Sequence, residues 1–227
     1  MLHVLDDRRY LLSLISEGEH QQQDFKYRVS DARKLAKSVS AFANTDGGRL
    51  LIGVRDDGNM SGVRSEEEIY MMHQAAYRYC RPEASIKFDT YHVAPNHPEG
   101  GGRGLRTIVV ATVPPSERRP VYAIDEEGRS RAYIRIADQN ILASPVHLDM
   151  WRESQNQQGA MMTYTDAVRT ILQVLQTEPL PLNLIVRRSR LQRREVITLL
   201  ARLIRFRVVQ WEYVNQQFLF IGISEDL

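Results

Sequence analysis

The stretch Ser40-Ala41-Phe42-Ala43-Asn44-Thr45-Asp46-Gly47-Gly48-Arg49-Leu50-Leu51-Ile52-Gly53-Val54 joins two periodicities across one break. Upstream, Leu35, Val39 and Phe42 stand at i, i+4 and i+7, which predicts an amphipathic helix over Asp31 to Ala43 with Arg33, Lys34 and Lys37 turned away from the apolar face. Asn44 to Gly48 stops that helix, because Asn readily enters the left-handed region at a helix end and paired glycines permit a sharp turn. Downstream, Leu50 to Val54 is a continuous apolar run bounded by glycines, the composition of a buried strand, and Asp56-Asp57-Gly58-Asn59 supplies a tight turn after it.

Working outward, Tyr10, Leu11, Leu14 and Ile15 predict a short helix over Asp6 to Ile15, and Glu66 to Tyr79 a further helix. From residue 85 the period becomes two: Ile86 and Phe88, Leu105 to Val113, and Ala132 to Ile136 read as strands, with Pro95 to Gly104 as a loose connection. Helix, strand, helix and then antiparallel strands argue for an α+β domain over residues 1–152. A polar, glutamine-rich linker is expected over 153–162. Residues 163–227 then give three helices (Thr165 to Gln176, Leu182 to Arg188, Leu191 to Arg205) and a hairpin of Val208 to Trp211 with Phe218 to Ile221, the order of a winged helix.

Composition sets the outer limits. The 227 residues are 43% hydrophobic, enough for one ordinary core and a small satellite domain. Lys plus Arg 30 against Asp plus Glu 28 leaves a formal charge of +2, so any electrostatic signal is local. Cys80 is the single cysteine, which excludes an internal disulfide and a multi-cysteine zinc site. Nothing resembles a signal peptide or a membrane span, and a cytoplasmic protein without membrane contact is expected.

The local signal lies near the C-terminus. Between Pro179 and Trp211 stand Arg187, Arg188, Arg190, Arg193, Arg194, Arg202, Arg205 and Arg207 against one acid, Glu195. With Val196, Leu200 and Leu203 packed inward, the last helix is expected to turn Gln192, Arg193, Thr198 and Arg202 outward, suiting base contact by Gln and phosphate contact by Arg. The alternative for this unit is a dimerisation module with a solvated basic face. Lys26, Arg33 and Lys37 are further candidates for phosphate contact; Lys26 equally suits a salt bridge, and the helix cations suit solvent.

A second constellation is acidic: Glu19, Asp24, Asp56 and Asp57. Should their segments pair, carboxylates could converge on a hard divalent cation, although Asp-Asp-Gly-Asn is also what a hairpin turn requires. There is no Gly-Lys-Ser or Gly-Lys-Thr phosphate loop, and no nucleophile with a partnered base.

Glu19 with Asp24-Phe25-Lys26, Ser40 to Thr45 with Gly47-Gly48, Leu51-Ile52-Gly53-Val54, Asp56-Asp57-Gly58 and Gly62 resemble the Schlafen AlbA-2 domain of bacterial DNA-binding proteins and transcriptional regulators. Fainter similarity runs through Val109 to Val113, Pro114 to Tyr122, Tyr133-Ile134-Arg135 and Ile136 to Ala143, covering about residues 8 to 150. The resemblance implies a DNA-binding regulator, DNA before RNA, whose winged helix grips while the first domain assembles, adds contacts or senses an effector; a homodimer is expected because one small winged helix buries limited surface. Its alternative is a Mg²⁺- or Mn²⁺-dependent endoribonuclease, for which the resemblance assigns Glu19, Asp24 (where the family usually has Glu) and Asp56 as catalytic metal ligands.

Overall fold

The computed structural model describes residues 2–94, 105–155 and 163–223. The chain divides into two units, Met1–Leu142 and Ala143–Leu227. The connection expected over Pro95 to Gly104 and the linker residues 156–162 lie outside the described residues.

In the first unit the order is α1 (Leu2–Glu17), β1 (Gln23–Lys26), α2 (Ala32–Asn44), β2 (Gly48–Ile52), α3 (Ser65–His73) continuing into a π-type turn at Gln74–Arg78, β3 (Cys80–Arg81), β4 (Lys87–Val93), β5 (Arg106–Val113), β6 (Tyr122–Ile124), β7 (Ser130–Ile136) and β8 (Gln139–Leu142). One sheet has the order β1-β2-β5-β4, with β1 and β2 parallel and the other pairs antiparallel; the other is an antiparallel β3-β6-β7-β8 sheet. Mixed helices and sheets agree with the α+β expectation.

The apolar run at β2 has no polar alternation because both its faces are covered. Leu50 and Ile52 join Val109, Ala111 and Val113 under Leu35, Val39 and Phe42 of α2. Leu51, Ile108 and Val110 join Leu11, Leu14 and Phe25 on the opposite face. Asp57 and Gly58 make the turn read from sequence: Asp57 Oδ1 accepts the Asn59 N–H at 2.9 Å, Gly58 has φ +79°, and Val54 bridges Met60.

Asn44 departs from expectation. It ends α2 without positive φ, which falls on Gly47 at +73°. Its side chain is buried instead: Nδ2 donates to Val121 O at 2.8 Å and Tyr133 O at 2.9 Å, while Oδ1 accepts the Val121 N–H at 2.7 Å. Gly48 is required by proximity, since a Cβ there would stand 2.3 Å from the Phe42 ring.

The second unit contains α4 (Pro145–Gln155), α5 (Asp166–Val174), β9 (Leu180–Pro181), α6 (Leu182–Ser189), α7 (Arg193–Arg205), β10 (Val209–Val214) and β11 (Gln217–Gly222). The strands form an antiparallel sheet in the order β10-β11-β9. Val168 and Ile171 of α5, Ile185 of α6 and Val196, Leu200 and Leu203 of α7 close the core with Phe220. Asn215 and Gln216, with φ of +50° and +62°, form a two-residue turn between β10 and β11, the geometry of a tight hairpin.

Helix α4 spans residues expected in the first domain (145–152) and in the linker (153–155); it falls in the second unit, with Val146 buried in that unit's core. Its start was legible in Ser144-Pro145: serine precedes the helix, proline opens it, and the Ser144 hydroxyl accepts the His147 N–H at 3.4 Å.

Candidate nucleic-acid interface

Five of the predicted basic residues cluster where α6 turns into α7. Arg187 and Arg188 occupy the last turn of α6, Arg190 is its left-handed C-cap at φ +57°, and Arg193 and Arg194 open α7. All five are exposed, as is Gln192. Arg188 Nη1 pairs with Glu178 Oε1 at 2.7 Å, and Arg193 Nη1 donates to Asn183 Oδ1 at 2.5 Å. The side chains of Arg187, Arg190 and Arg194 make no hydrogen bond or ion pair among the described residues, although the Arg190 N–H caps α6 on Val186 O at 3.2 Å. Gln192 is the N-cap of α7, and its side chain makes no capping bond. Cations in the first turn oppose the helix dipole, and uncapped N–H groups there prefer an anion; Glu195 is the one acid of that turn, against Arg193 and Arg194.

The rest of α7 is not open in the way its periodicity suggested. Thr198, Ala201, Arg202 and Arg205 recur at i, i+3, i+4 and i+7 on the face opposite Val196, Leu200 and Leu203. That face lies under α4: Thr198 Oγ1 bonds Asp149 Oδ2 at 2.8 Å, Arg202 Nη2 pairs with Glu153 Oε1 at 3.3 Å, and Arg205 Nη1 donates to Glu153 O at 2.7 Å. Ala201, between them, is fully buried. Thr198 is therefore engaged by α4, while Arg202, though ion-paired with Glu153, remains exposed. The hairpin turn contributes no cation, since Tyr213 to Phe218 contains neither Lys nor Arg.

The acids of the first unit divide. Asp24, on β1, is buried, with Oδ2 2.6 Å from Lys26 Nζ and Oδ1 3.3 Å from Arg135 Nη2. Glu19 is exposed as a residue, but its carboxyl turns inward, Oε1 accepting the Phe25 N–H at 2.8 Å. Partial burial and then a hydrogen bond with the Asp24 carboxyl raise the Glu19 pKa above the ordinary carboxylate value. Asp56 is exposed in the turn after β2. Among the described residues no group of three His, Cys, Asp or Glu side chains is placed to hold a metal ion. Asp24 already faces two cations, so a divalent ion there would have to displace Lys26 and Arg135. The donor set does not fit a three-carboxylate metal centre.

Arg135 is the residue that sequence reasoning left without a role. It is 1% exposed, donates to Asn140 Oδ1 at 2.9 Å and Gln23 O at 3.2 Å, and lies over the Phe42 ring. An arginine alternating with Tyr133 and Ile134 in a strand is a signal for a buried partner, which Asp24 supplies. Lys26 is likewise an ion-pair partner of Asp24. Arg33 is half-buried with its guanidinium 5.1 Å from the Tyr79 ring centroid, and with Lys37 it borders a depression lined also by Asp125, Glu126 and Glu127. Lys34, Arg129 and Arg131 line the same depression, where Arg129 pairs with Asp125 and Glu127.

A mixed sheet with both faces covered, an acid and arginine pair buried beneath it, and a second unit carrying an arginine-rich helical turn define an α+β protein with an accessory helical domain. The family described as Schlafen, AlbA_2 matches residues 19–144, more than half of the chain, and the chain belongs to that family. Membership points to nucleic-acid binding. A search of curated proteins found no match. Among solved structures, the chain is similar to the DIP2311 protein from Corynebacterium diphtheriae at 18% identity and a TM-score of 0.45, over 88% of this chain and 37% of that one. The chain thus spans well under half of that protein. Among the described residues no helix is long and apolar enough to cross a membrane.

Proposed function

We propose that the protein is a DNA-binding regulator that grips duplex phosphates through the α6–α7 turn. The single observation carrying this reading is the exposed cluster of Arg187, Arg188, Arg190, Arg193 and Arg194 on one turn, three of them unpartnered among the described residues. The order helix, strand, helix, helix, strand, strand from α5 to β11 is that of a winged helix, which supports the same reading. Family membership supports nucleic acid as the partner. Because α4 packs on α7 at Thr198 and Ala201 and the exposed cations of this region are arginines, contact is directed to the backbone. A homodimer would double the phosphates engaged.

Two results are expected in fluorescence anisotropy with a labelled duplex. Affinity should fall steeply with salt and change little when the duplex sequence is scrambled. Arg190→Glu with Arg194→Glu should weaken binding at least about tenfold at moderate ionic strength and flatten the salt slope by roughly two phosphate contacts. Both side chains are exposed, so folding is spared. Unchanged affinity in the double variant would remove the turn from the mechanism.

A further inference from the structure

A cavity of about 680 Å³ in the first unit opens beyond the end of β1, beside the segment that leads into α3 and the first residues of β5. Its volume lies within the range of about 300 to 1,000 Å³ usual for small-ligand sites. The wall is firmly built. Ser61 and Gly62 donate their N–H groups to Gly53 O at 2.8 and 3.0 Å, and Val63 donates to Thr107 O at 2.9 Å. Gly62 has φ +74°, and a Cβ on it would stand 3.0 Å from Arg106 Cβ, so the backbone approaches β5 at its closest there.

The lining combines opposite charges that do not neutralise one another by contact. Arg28, Arg64 and Arg106 contribute guanidinium groups. Arg28 and Arg106 form no ion pair among the described residues, and Arg64 pairs only with the largely exposed Glu67, at 3.3 Å. Glu68, also lining the cavity, is 6% exposed, and its Oε2 has no hydrogen-bond partner among the described residues. Burial is also the largest cause raising its pKa above the ordinary value. Tyr27 adds an aromatic edge, with Arg55 and Arg28 guanidiniums 4.4 and 5.5 Å from its ring centroid.

These features exclude simple occupants. A bare cation would meet three arginines. A bare anion would leave the buried Glu68 oxygen without a donor, which is unfavourable. The complement is a molecule that carries both an anionic group and N–H donors on a flat ring. We propose that this cavity binds a phosphorylated nucleoside, with its phosphate on Arg28, Arg64 and Arg106, its base edge donating to Glu68 and its ring against the Tyr27 and arginine wall. Guanidinium groups pair with phosphate through parallel charge-assisted bonds, and bases stack on aromatic and guanidinium planes. The site stands on the first unit alone and does not depend on DNA binding by the second.

Calorimetric titration of the full chain tests it, with the guanosine, adenosine, cytidine and uridine monophosphates, guanosine, inorganic phosphate and a 5′-phosphorylated tetranucleotide as probes. At least one monophosphate should bind, with guanosine and inorganic phosphate each at least about tenfold weaker. Arg28→Gln with Arg64→Gln, both at exposed positions, should weaken monophosphate binding about tenfold or more with an unchanged circular dichroism spectrum. Glu68→Gln should reorder the preference among bases while retaining affinity for phosphate. Tighter binding of the tetranucleotide than of the monophosphates would identify a strand end as the source of the ligand, and the reverse a free nucleotide; either supports the site. No monophosphate binding up to about 1 mM, equal binding of inorganic phosphate, or an unaffected double variant would overturn it.

Discussion

Asn44→Ala is expected to lower the stability of the first unit by about 3 to 4 kcal/mol, or to leave no cooperative folded state at all. The side chain spans two elements: from the end of α2 it holds both the N–H and the C=O of Val121 and the C=O of Tyr133. Truncation leaves these buried backbone groups without Asn44, each unsatisfied group costing about 1 to 3 kcal/mol, in a site too closed for water to compensate freely. Ser40 Oγ also donates to Val121 O, at 2.7 Å, so that carbonyl retains one partner and the upper end of the range is not reached. Asn44→Asp separates shape from donor chemistry. It keeps an acceptor for the Val121 N–H but places a carboxylate against two carbonyl oxygens, so it should be no better than alanine near neutral pH. Urea denaturation provides the measure, and a loss below about 1 kcal/mol would mean that the helix and the second sheet are held together elsewhere.

That residue also marks the limit of what the sequence discloses. Asn44 was legible as a helix stop because helix period ends there, but the partners of its amide come from Val121 and Tyr133, which no local pattern connects to it. β1 was hidden for the same reason. Gln23, Asp24 and Lys26 read as polar chain, yet Gln23 and Asp24 are buried because Arg49 and Arg135 arrive from other strands to meet them. The Glu19 and Asp24 carboxyls adjoin, whereas the sequence offered convergence of the acids only on condition that their segments pair. It could not say that Asp24 would be neutralised by Lys26 and Arg135, or that Asp56 would face solvent.

The arginine-rich helix illustrates a different limit. Period 3.6 assigns Val196, Leu200 and Leu203 to the core and leaves an opposite face, but periodicity does not reveal whether a second helix covers that face. The small residue Ala201 amid Thr198, Arg202 and Arg205 was the available sign of close approach, and α4 packs there. The exposed arginines with no cover from α4 lie in the α6–α7 turn, where charge density was readable without any tertiary knowledge.

The second unit should lose about 3 kcal/mol of stability between pH 6.5 and pH 4 through one residue, His147 of α4. It is 4% exposed, its ring lies 4.6 Å from that of Trp211 and 4.7 Å from that of Phe218, and its Nε2 has no partner among the described residues. Ser144 Oγ reaches Nδ1 at 2.7 Å, which suits a neutral ring. Burial pushes the imidazole pKa down from 6.5 to about 4. In that interval the unfolded chain binds a proton that the folded chain refuses, so protonation favours unfolding: the contribution is complete above pH 6.5 and disappears progressively as pH falls toward 4. The chain's two tryptophans, Trp151 and Trp211, both neighbour this ring, so their fluorescence during urea denaturation reports on this unit. Carboxylates elsewhere also titrate at the acid end, and the decisive quantity is therefore the difference between the native chain and His147→Phe, which keeps an aromatic ring and removes the titration. The variant should be the more acid-resistant, with the gap widening from pH 6.5 downward. Parallel curves would place the acid sensitivity of this unit somewhere other than the contact between α4 and the hairpin.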